Sequence, residues 1–204
     1  MKRLIKLAAL TALAVILLSG CVALPGLDLS TEEAAPEETL PPLTEPMYTD
    51  REALYQYYNQ VNIGDTLEAL TEKFGEPEIE STDNGDTYLW VMDDGYGFAG
   101  VFFNGGKLRA KALYYKDVRQ LGQLSAATSL EQFTSLNSNY TYEMTCGLLG
   151  GRSMEVAQIA QDSSLEPEIK RVFVWCNEKG SRVEVLFKGN EQLESVSYSV
   201  AESN

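Results

Sequence analysis

The 204-residue chain contains no histidine and only three cysteines, Cys21, Cys146 and Cys176. The lack of histidine excludes Ser-His-Asp and Cys-His catalytic arrangements. Two or three thiolates alone leave the four-ligand shell of a structural zinc site incomplete. We therefore predict a non-catalytic protein that needs no metal and no cofactor. An enzyme is the least favoured alternative.

Positive charge is also scarce. The chain has 16 Lys and Arg residues against 30 Asp and Glu residues, a formal net charge of −14. Nucleic-acid binding depends on clustered basic residues that neutralise phosphates, and adhesion to anionic lipid head groups needs a basic face. We therefore predict no nucleic-acid partner and no membrane attachment through charge.

The chain lacks an apolar run long enough to span a bilayer. Residues 7–18 are almost entirely apolar, but they number only 12, whereas a membrane-spanning helix needs about 20 residues. Residues 1–6 contain three basic residues and no acidic one. This pattern is typical of a signal peptide, which we assign to residues 1–20.

Leu18, Ser19, Gly20 and Cys21 resemble the lipobox of bacterial lipoproteins. The resemblance implies cleavage after residue 20 and attachment of diacylglycerol, with fatty acids such as palmitate, to the sulfur of Cys21. It implies a location on the extracytoplasmic face of the cell membrane, with an outer membrane as the other option. The alternative is an ordinary secretory signal that happens to contain a cysteine.

Residues 22–50 carry seven acidic residues, no Lys or Arg, and five of the seven prolines. Such a composition cannot bury enough apolar surface to fold. We predict that residues 21–50 form the lipidated cysteine and a disordered, acidic, proline-rich linker. Loss of residues 1–20 would leave 13 basic and 30 acidic residues, a net charge of −17.

If lipid occupies Cys21, two cysteines remain in an exported and therefore oxidising environment. We predict a disulfide between Cys146 and Cys176. A closed loop of about 30 residues would make it worth about 3–4 kcal/mol. Two buried thiols are the alternative.

Residues 51–204 contain two copies of one pattern. The offset between the copies rises from 75 residues near their starts to 85 at their tryptophans, which requires an insertion of about ten residues in the second copy. We predict two tandem domains, residues 51–116 and 129–204. Corresponding positions are Thr66 and Thr141, Gly75 and Gly150, and Trp90 and Trp175.

Each copy predicts two helices followed by a meander of strands. Leu54, Tyr57, Tyr58 and Val61 have the spacing of an amphipathic helix. The predicted fold class is α+β: two tandem αα-β-meander units with helices packed on one face of an antiparallel sheet. Strands are predicted at 78–81, 87–92, 98–103 and 107–115 in the first copy, and at 154–159, 169–176, 182–187 and 193–200 in the second.

Gly64-Asp65-Thr66, Phe74-Gly75-Glu76-Pro77, Trp90 and the segment Val101–Leu108 resemble the pattern of SmpA/OmlA (BamE-like) envelope lipoproteins. The pattern is also similar to the β-lactamase-inhibitor-protein (BLIP-like) superfamily, whose type protein is a tandem of such units. The resemblance covers about residues 55–115 well and 130–200 weakly. It implies the fold, and it implies binding of a partner by the concave face of the sheet.

Aromatic side chains are the candidate binding residues. Tyr88 and Trp90 share one face of a predicted strand, and Phe173 and Trp175 share the corresponding face in the second copy. Tyr96 lies in a glycine-flanked turn. If these aromatics face away from the helices, they form a binding surface, because Trp and Tyr are typical interface hot spots. The alternative is that both tryptophans belong to the core.

These observations favour a lipid-anchored, non-catalytic protein-binding or envelope-assembly module. Its expected partners are the membrane, through the N-terminal lipid, and an unidentified protein of the cell envelope. The alternative is an inhibitor of a secreted enzyme, which would need exposed aromatics and an acidic loop on an open sheet.

Overall fold

The computed structural model describes residues 51–82, 85–115, 121, 128–189 and 191–200. The predicted signal peptide (1–20), the lipidated Cys21 and the linker (21–50) lie outside the described residues. Within these ranges, no helix is long and apolar enough to cross a membrane.

Both halves of the chain contain short helices followed by four strands. The first half consists of α1 (Arg51–Tyr55), a 3-10 helix (Tyr58–Gln60), α2 (Leu67–Phe74), β1 (Glu78–Thr82), β2 (Gly85–Val91), β3 (Gly97–Phe102) and β4 (Leu108–Tyr114). The second half consists of α3 (Leu130–Ser135), α4 (Tyr142–Leu149), β5 (Met154–Ala160), β6 (Ile169–Cys176), β7 (Arg182–Phe187) and β8 (Leu193–Ser199).

All eight strands form one antiparallel sheet in the order β1 to β8. The two halves join where β4 pairs with β5, and Lys111 lies opposite Gln158 in that pair. Hydrogen bonds of the backbone therefore continue across the boundary between the two sequence copies.

The predicted α+β class is wrong. The described residues form a mainly β fold, because one eight-stranded sheet dominates them and their α-helices have only five to eight residues. The helix predicted around Leu54–Val61 illustrates the difference: the α-helix ends at Tyr55, and the chain continues as a 3-10 turn at Tyr58–Gln60. The two meander units share one sheet because β4 and β5 pair edge to edge.

The internal repeat is visible in local hydrogen bonds. The hydroxyl of Thr66 accepts from the backbone N–H of Ala69 at 3.2 Å, and that of Thr141 accepts from Met144 at 3.4 Å. Each threonine is the N-cap of its helix, so the equivalent residue starts α2 and α4. Both also form an isolated antiparallel β-bridge, Thr66 with Lys107 and Thr141 with Gln192, the residues that directly precede β4 and β8.

Strand register places the aromatic rows of both halves on one face of the sheet. Residues directly opposite each other in neighbouring strands share a face. One such row crosses six strands through Tyr88, Gly100, Lys111, Gln158, Arg171 and Phe187. Trp90 lies two residues from Tyr88, and Trp175 lies four from Arg171, so both tryptophans belong to this surface. We call it the tryptophan face.

No disulfide joins Cys146 and Cys176, so the predicted pairing is wrong. Cys146 packs with Trp175 in one buried cluster, whereas Cys176 belongs to the other. The reason is the two-residue period of a strand: Cys176 follows Trp175 directly and points to the opposite face of the sheet. Both thiols are buried, which is the alternative that the sequence left open.

Candidate functional site

The two tryptophans are core residues. Trp90 is 1% exposed and Trp175 is 2% exposed. The indole Nε1 of Trp90 donates to the carbonyl oxygen of Gly75 at 2.8 Å, and that of Trp175 donates to Gly151 at 2.8 Å. The aromatic rows face the helix-bearing side of the sheet, so neither tryptophan offers a surface to a partner.

The other predicted binding residues are half-buried. Tyr88 stacks on Trp90 and meets the ring of Phe102 edge-on. Tyr96 packs against the larger cluster. Phe173 lies 4.6 Å from the ring of Tyr142, centroid to centroid. The structure therefore distributes these aromatics through two clusters instead of gathering them on an open face.

Asp94 fastens the β2–β3 turn to Gln56 and Tyr57, which lie between α1 and the 3-10 helix. Its Oδ2 accepts from Gln56 Nε2 at 2.7 Å and from Tyr57 Oη at 2.9 Å, while its Oδ1 accepts from the backbone N–H of Tyr96 at 3.0 Å. The hydrogen bond to Asp94 raises the pKa of the Tyr57 hydroxyl. Asp94 thus sets the position of the β2–β3 turn.

A polar cluster lies where the two halves meet on the tryptophan face, and we call it the seam cluster. It joins α1 and the 3-10 helix of the first half to the central strands. Its members are Tyr55, Tyr58, Lys111, Glu155, Gln158 and Arg171.

Lys111 is the buried cation of the seam cluster, with 5% of its surface exposed. Its Nζ donates to the carbonyl oxygens of Tyr58 at 3.1 Å and Val61 at 2.7 Å, and lies 4.0 Å from the centroid of the Tyr58 ring. Burial lowers the pKa of Lys111, while Glu155 and Asp65 partly raise it. An ammonium group has three N–H donors, and two carbonyls and a ring face them here.

Glu155 is the acceptor at the centre of the seam cluster. Its Oε1 accepts from Tyr58 Oη at 3.0 Å and from Gln158 Nε2 at 2.7 Å, and its Oε2 lies 3.7 Å from Arg171 Nε. The Tyr55 hydroxyl donates to its backbone oxygen. Burial, and then the charge of Glu155, raise the pKa of Tyr58. The cluster therefore ties helical residues of the first half to β5 of the second.

The predicted sites did not include the seam cluster, although the sequence carries a signal for it. Lys111 interrupts the otherwise apolar C-terminal end of β4. Glu155 lies in β5 between two buried residues. A charge in such a strand needs a partner, because an unpaired buried charge is strongly unfavourable. The register between β4 and β5 determines which side chains of the two halves come into contact. Local sequence patterns do not encode that register.

A solvent-open groove lies beside the first turn of α2. Its ionisable groups are Glu68 and Glu72, which are both exposed. The groove is lined by Thr66, Leu67, Glu68, Thr71, Glu72, Gly105 and Gly106. Among the described residues, no three His, Cys, Asp or Glu side chains are grouped to hold a metal ion.

Comparison with known proteins gives no match: neither a protein-family model nor a curated protein matches this sequence.

Proposed function

We propose that the chain is a lipid-anchored, non-catalytic protein of the cell envelope whose folded part, residues 51–200, binds a protein partner. The observation that supports this proposal is the seam cluster. Lys111 is hydrogen-bonded to the carbonyl oxygen of Val61, and the carboxylate of Glu155 accepts a hydrogen bond from Tyr58. Together these contacts link the two halves of the chain beside the β4–β5 pair. A pre-organised surface loses less conformational freedom on binding than a mobile one.

The anchor in this proposal is the lipid on Cys21. The resemblance of residues 18–21 to a lipobox supports it, and the acidic, proline-rich residues 22–50 would serve as a tether. Two or three acyl chains hold a protein durably at a membrane, whereas one is marginal. The resemblance to SmpA/OmlA (BamE-like) and BLIP-like proteins stays a prediction, and the proposal does not depend on it.

Metabolic labelling tests the anchor. Cells that express the full chain are fed an alkyne-bearing palmitate analogue, and the protein is recovered and coupled to a dye. We expect label and membrane association for the natural sequence, and neither for Cys21→Ala. Cys146→Ala is the matched control and should keep both. Label on the Cys21→Ala variant would contradict the proposed anchor.

Amine-reactive cross-linking in intact cells tests partner binding. We expect a discrete species heavier than the mature protein, formed by the natural sequence and strongly reduced when the domain is released by Cys21→Ala. The proposal would be contradicted if the protein formed only intramolecular cross-links at a reagent concentration that captures known envelope complexes.

The enzyme-inhibitor alternative is not proposed here. It required exposed aromatics on an open sheet, and Trp90 and Trp175 are buried.

A further inference from the structure

The loop between β5 and β6, residues 161–168, carries the most exposed of the large apolar side chains that the described part of the chain presents to solvent. Leu165 is 93% exposed, compared with 59% for Ile79 on β1. Exposed single leucines are common, so this value alone decides nothing. The residues around Leu165 indicate whether it is a contact residue.

The loop is an addition to the repeat. In the first half, β1 ends at Thr82 and β2 begins at Gly85, so only two residues connect the hairpin. In the second half, β5 ends at Ala160 and β6 begins at Ile169, and eight residues connect it. This loop supplies most of the insertion that the offset between the copies requires.

Hydrogen bonds hold the base and the tip of the loop. At the base, the N–H of Gln161 donates to the carbonyl oxygen of Glu168 at 3.2 Å, and Gln161 Nε2 donates to Glu168 Oε2 at 3.1 Å. Glu168 Oε1 accepts from the N–H of Gly189 in the β7–β8 turn at 3.3 Å. At the tip, Asp162 Oδ1 accepts from the N–H of Ser164 at 2.9 Å. The fold therefore presents Leu165 on an organised loop.

The charge of the loop has one sign. Asp162, Glu166 and Glu168 lie in residues 161–168, and no Lys or Arg does. Such a loop is repelled by anionic lipid head groups and is complementary to a basic surface. An apolar side chain surrounded by carboxylates fits an apolar pocket bordered by Lys or Arg on another protein.

We propose that residues 161–168 form a contact loop that inserts Leu165 into an apolar pocket with a Lys- or Arg-bearing rim on a protein partner. This inference rests on the proposed function, since it names the chemistry of the partner that the folded part binds. Leu165 supplies the apolar contact, while Asp162 and Glu166 attract the basic rim.

A photo-cross-linking residue placed at the contact position tests the proposal. The full chain is made in intact cells with p-benzoylphenylalanine at position 165 or, as the matched control, at position 79. We expect a cross-linked protein from position 165 and not from position 79. Mass spectrometry should locate the cross-link on an apolar segment of that protein with Lys or Arg nearby.

Substitutions then separate the contribution of the Leu165 side chain to complex formation from that of the acidic side chains. In amine-reactive cross-linking, Leu165→Ser should reduce complex formation about tenfold or more, because a central apolar anchor dominates such contacts. Asp162→Asn with Glu166→Gln should reduce it and also weaken its salt sensitivity. Ile79→Ser is the control and should leave the complex intact. Equal melting temperatures of all variants would show that folding is unchanged.

Several outcomes would overturn the contact loop. Cross-linking of position 165 to lipid would replace the protein partner with a membrane surface. A complex that forms equally well with Leu165→Ser would refute the loop while leaving the proposed function standing. A natural sequence that forms no complex at all would remove the proposed function and this inference with it.

Discussion

Trp90 donates a hydrogen bond from its indole nitrogen to the carbonyl oxygen of Gly75, the C-cap residue of α2, at 2.8 Å. The second half of the chain repeats this contact with Trp175 and Gly151, one residue beyond the C-cap of α4. In both halves the contact attaches the end of a helix to the strand that carries the tryptophan. The tryptophans therefore serve the interior of the fold.

Replacement of Trp90 by Phe should destabilise the protein by about 2 kcal/mol, because the Gly75 carbonyl loses its donor and the smaller ring leaves a gap. Chemical denaturation measures the free energy of unfolding. Tyr96→Phe is the control and should change it by less than about 0.5 kcal/mol. A Trp90→Phe variant with unchanged stability but weakened partner binding would show that Trp90 is a contact residue after all.

Lys111 should make stability depend on alkaline pH. Burial lowers its pKa from an ordinary value of 10.5, so the unfolded state binds more protons than the folded state between the two pKa values. The contribution of Lys111 to the free energy of unfolding should therefore rise with pH up to about 10.5, and Lys111→Met should remove that contribution. Lys107→Met, at an exposed position, serves as the control. Parallel pH profiles for the natural sequence and Lys111→Met would refute this account.

Glu184 should make the stability of the protein fall as pH rises in the acidic range, which is opposite in sign to the effect of Lys111. Its carboxyl is 6% exposed and lies 2.8 Å from Arg182 Nε. Burial raises its pKa above 4.5, and Arg182 lowers it in part. The folded state then binds more protons in this window, so the free energy of unfolding should fall as pH rises above about 4.5. Glu184→Gln should flatten that decline, and a pH profile of the variant parallel to that of the natural sequence would contradict this prediction.

The two cysteines should be protected thiols. Burial raises the pKa of the Cys146 thiol, which reduces its reactive thiolate fraction, and Cys176 is buried as well. We expect slow maleimide reaction in the folded protein and two additions after denaturation without a reducing agent. Mass spectrometry counts the additions. Labelling that appears only after reduction would instead support a disulfide.

Local patterns predicted the strands closely. The segments 169–176 and 182–187 were predicted from apolar periodicity and turn residues, and β6 and β7 occupy those bounds. In the structure, the corresponding residues Thr66 and Thr141 are the N-caps of α2 and α4, and Gly75 and Gly150 are their C-caps. These features depend on neighbours within a few residues of each other, so the sequence contains them directly.

The fold class and the candidate sites depended on distant pairs. The α+β prediction described the pattern within each sequence copy and did not include the pairing of Lys111 with Gln158 across the copies. The disulfide prediction treated Cys146 and Cys176 only through their separation along the chain. Their side chains lie on different faces of the sheet. Strand alternation predicts the face of Cys176, but it cannot predict the face that Cys146 covers, because Cys146 lies on a helix.

The sequence by itself determined the order of short helices and strands, the internal repeat, the acidic charge and the lack of histidine chemistry, because composition and near-neighbour spacing encode them. Tertiary structure decided the rest: that the tryptophans face the helices, that the strands form one sheet, and that Lys111 and Glu155 both form hydrogen bonds with Tyr58. Each of these outcomes depends on register between strands far apart in the chain, and a shift of one residue would reverse every face.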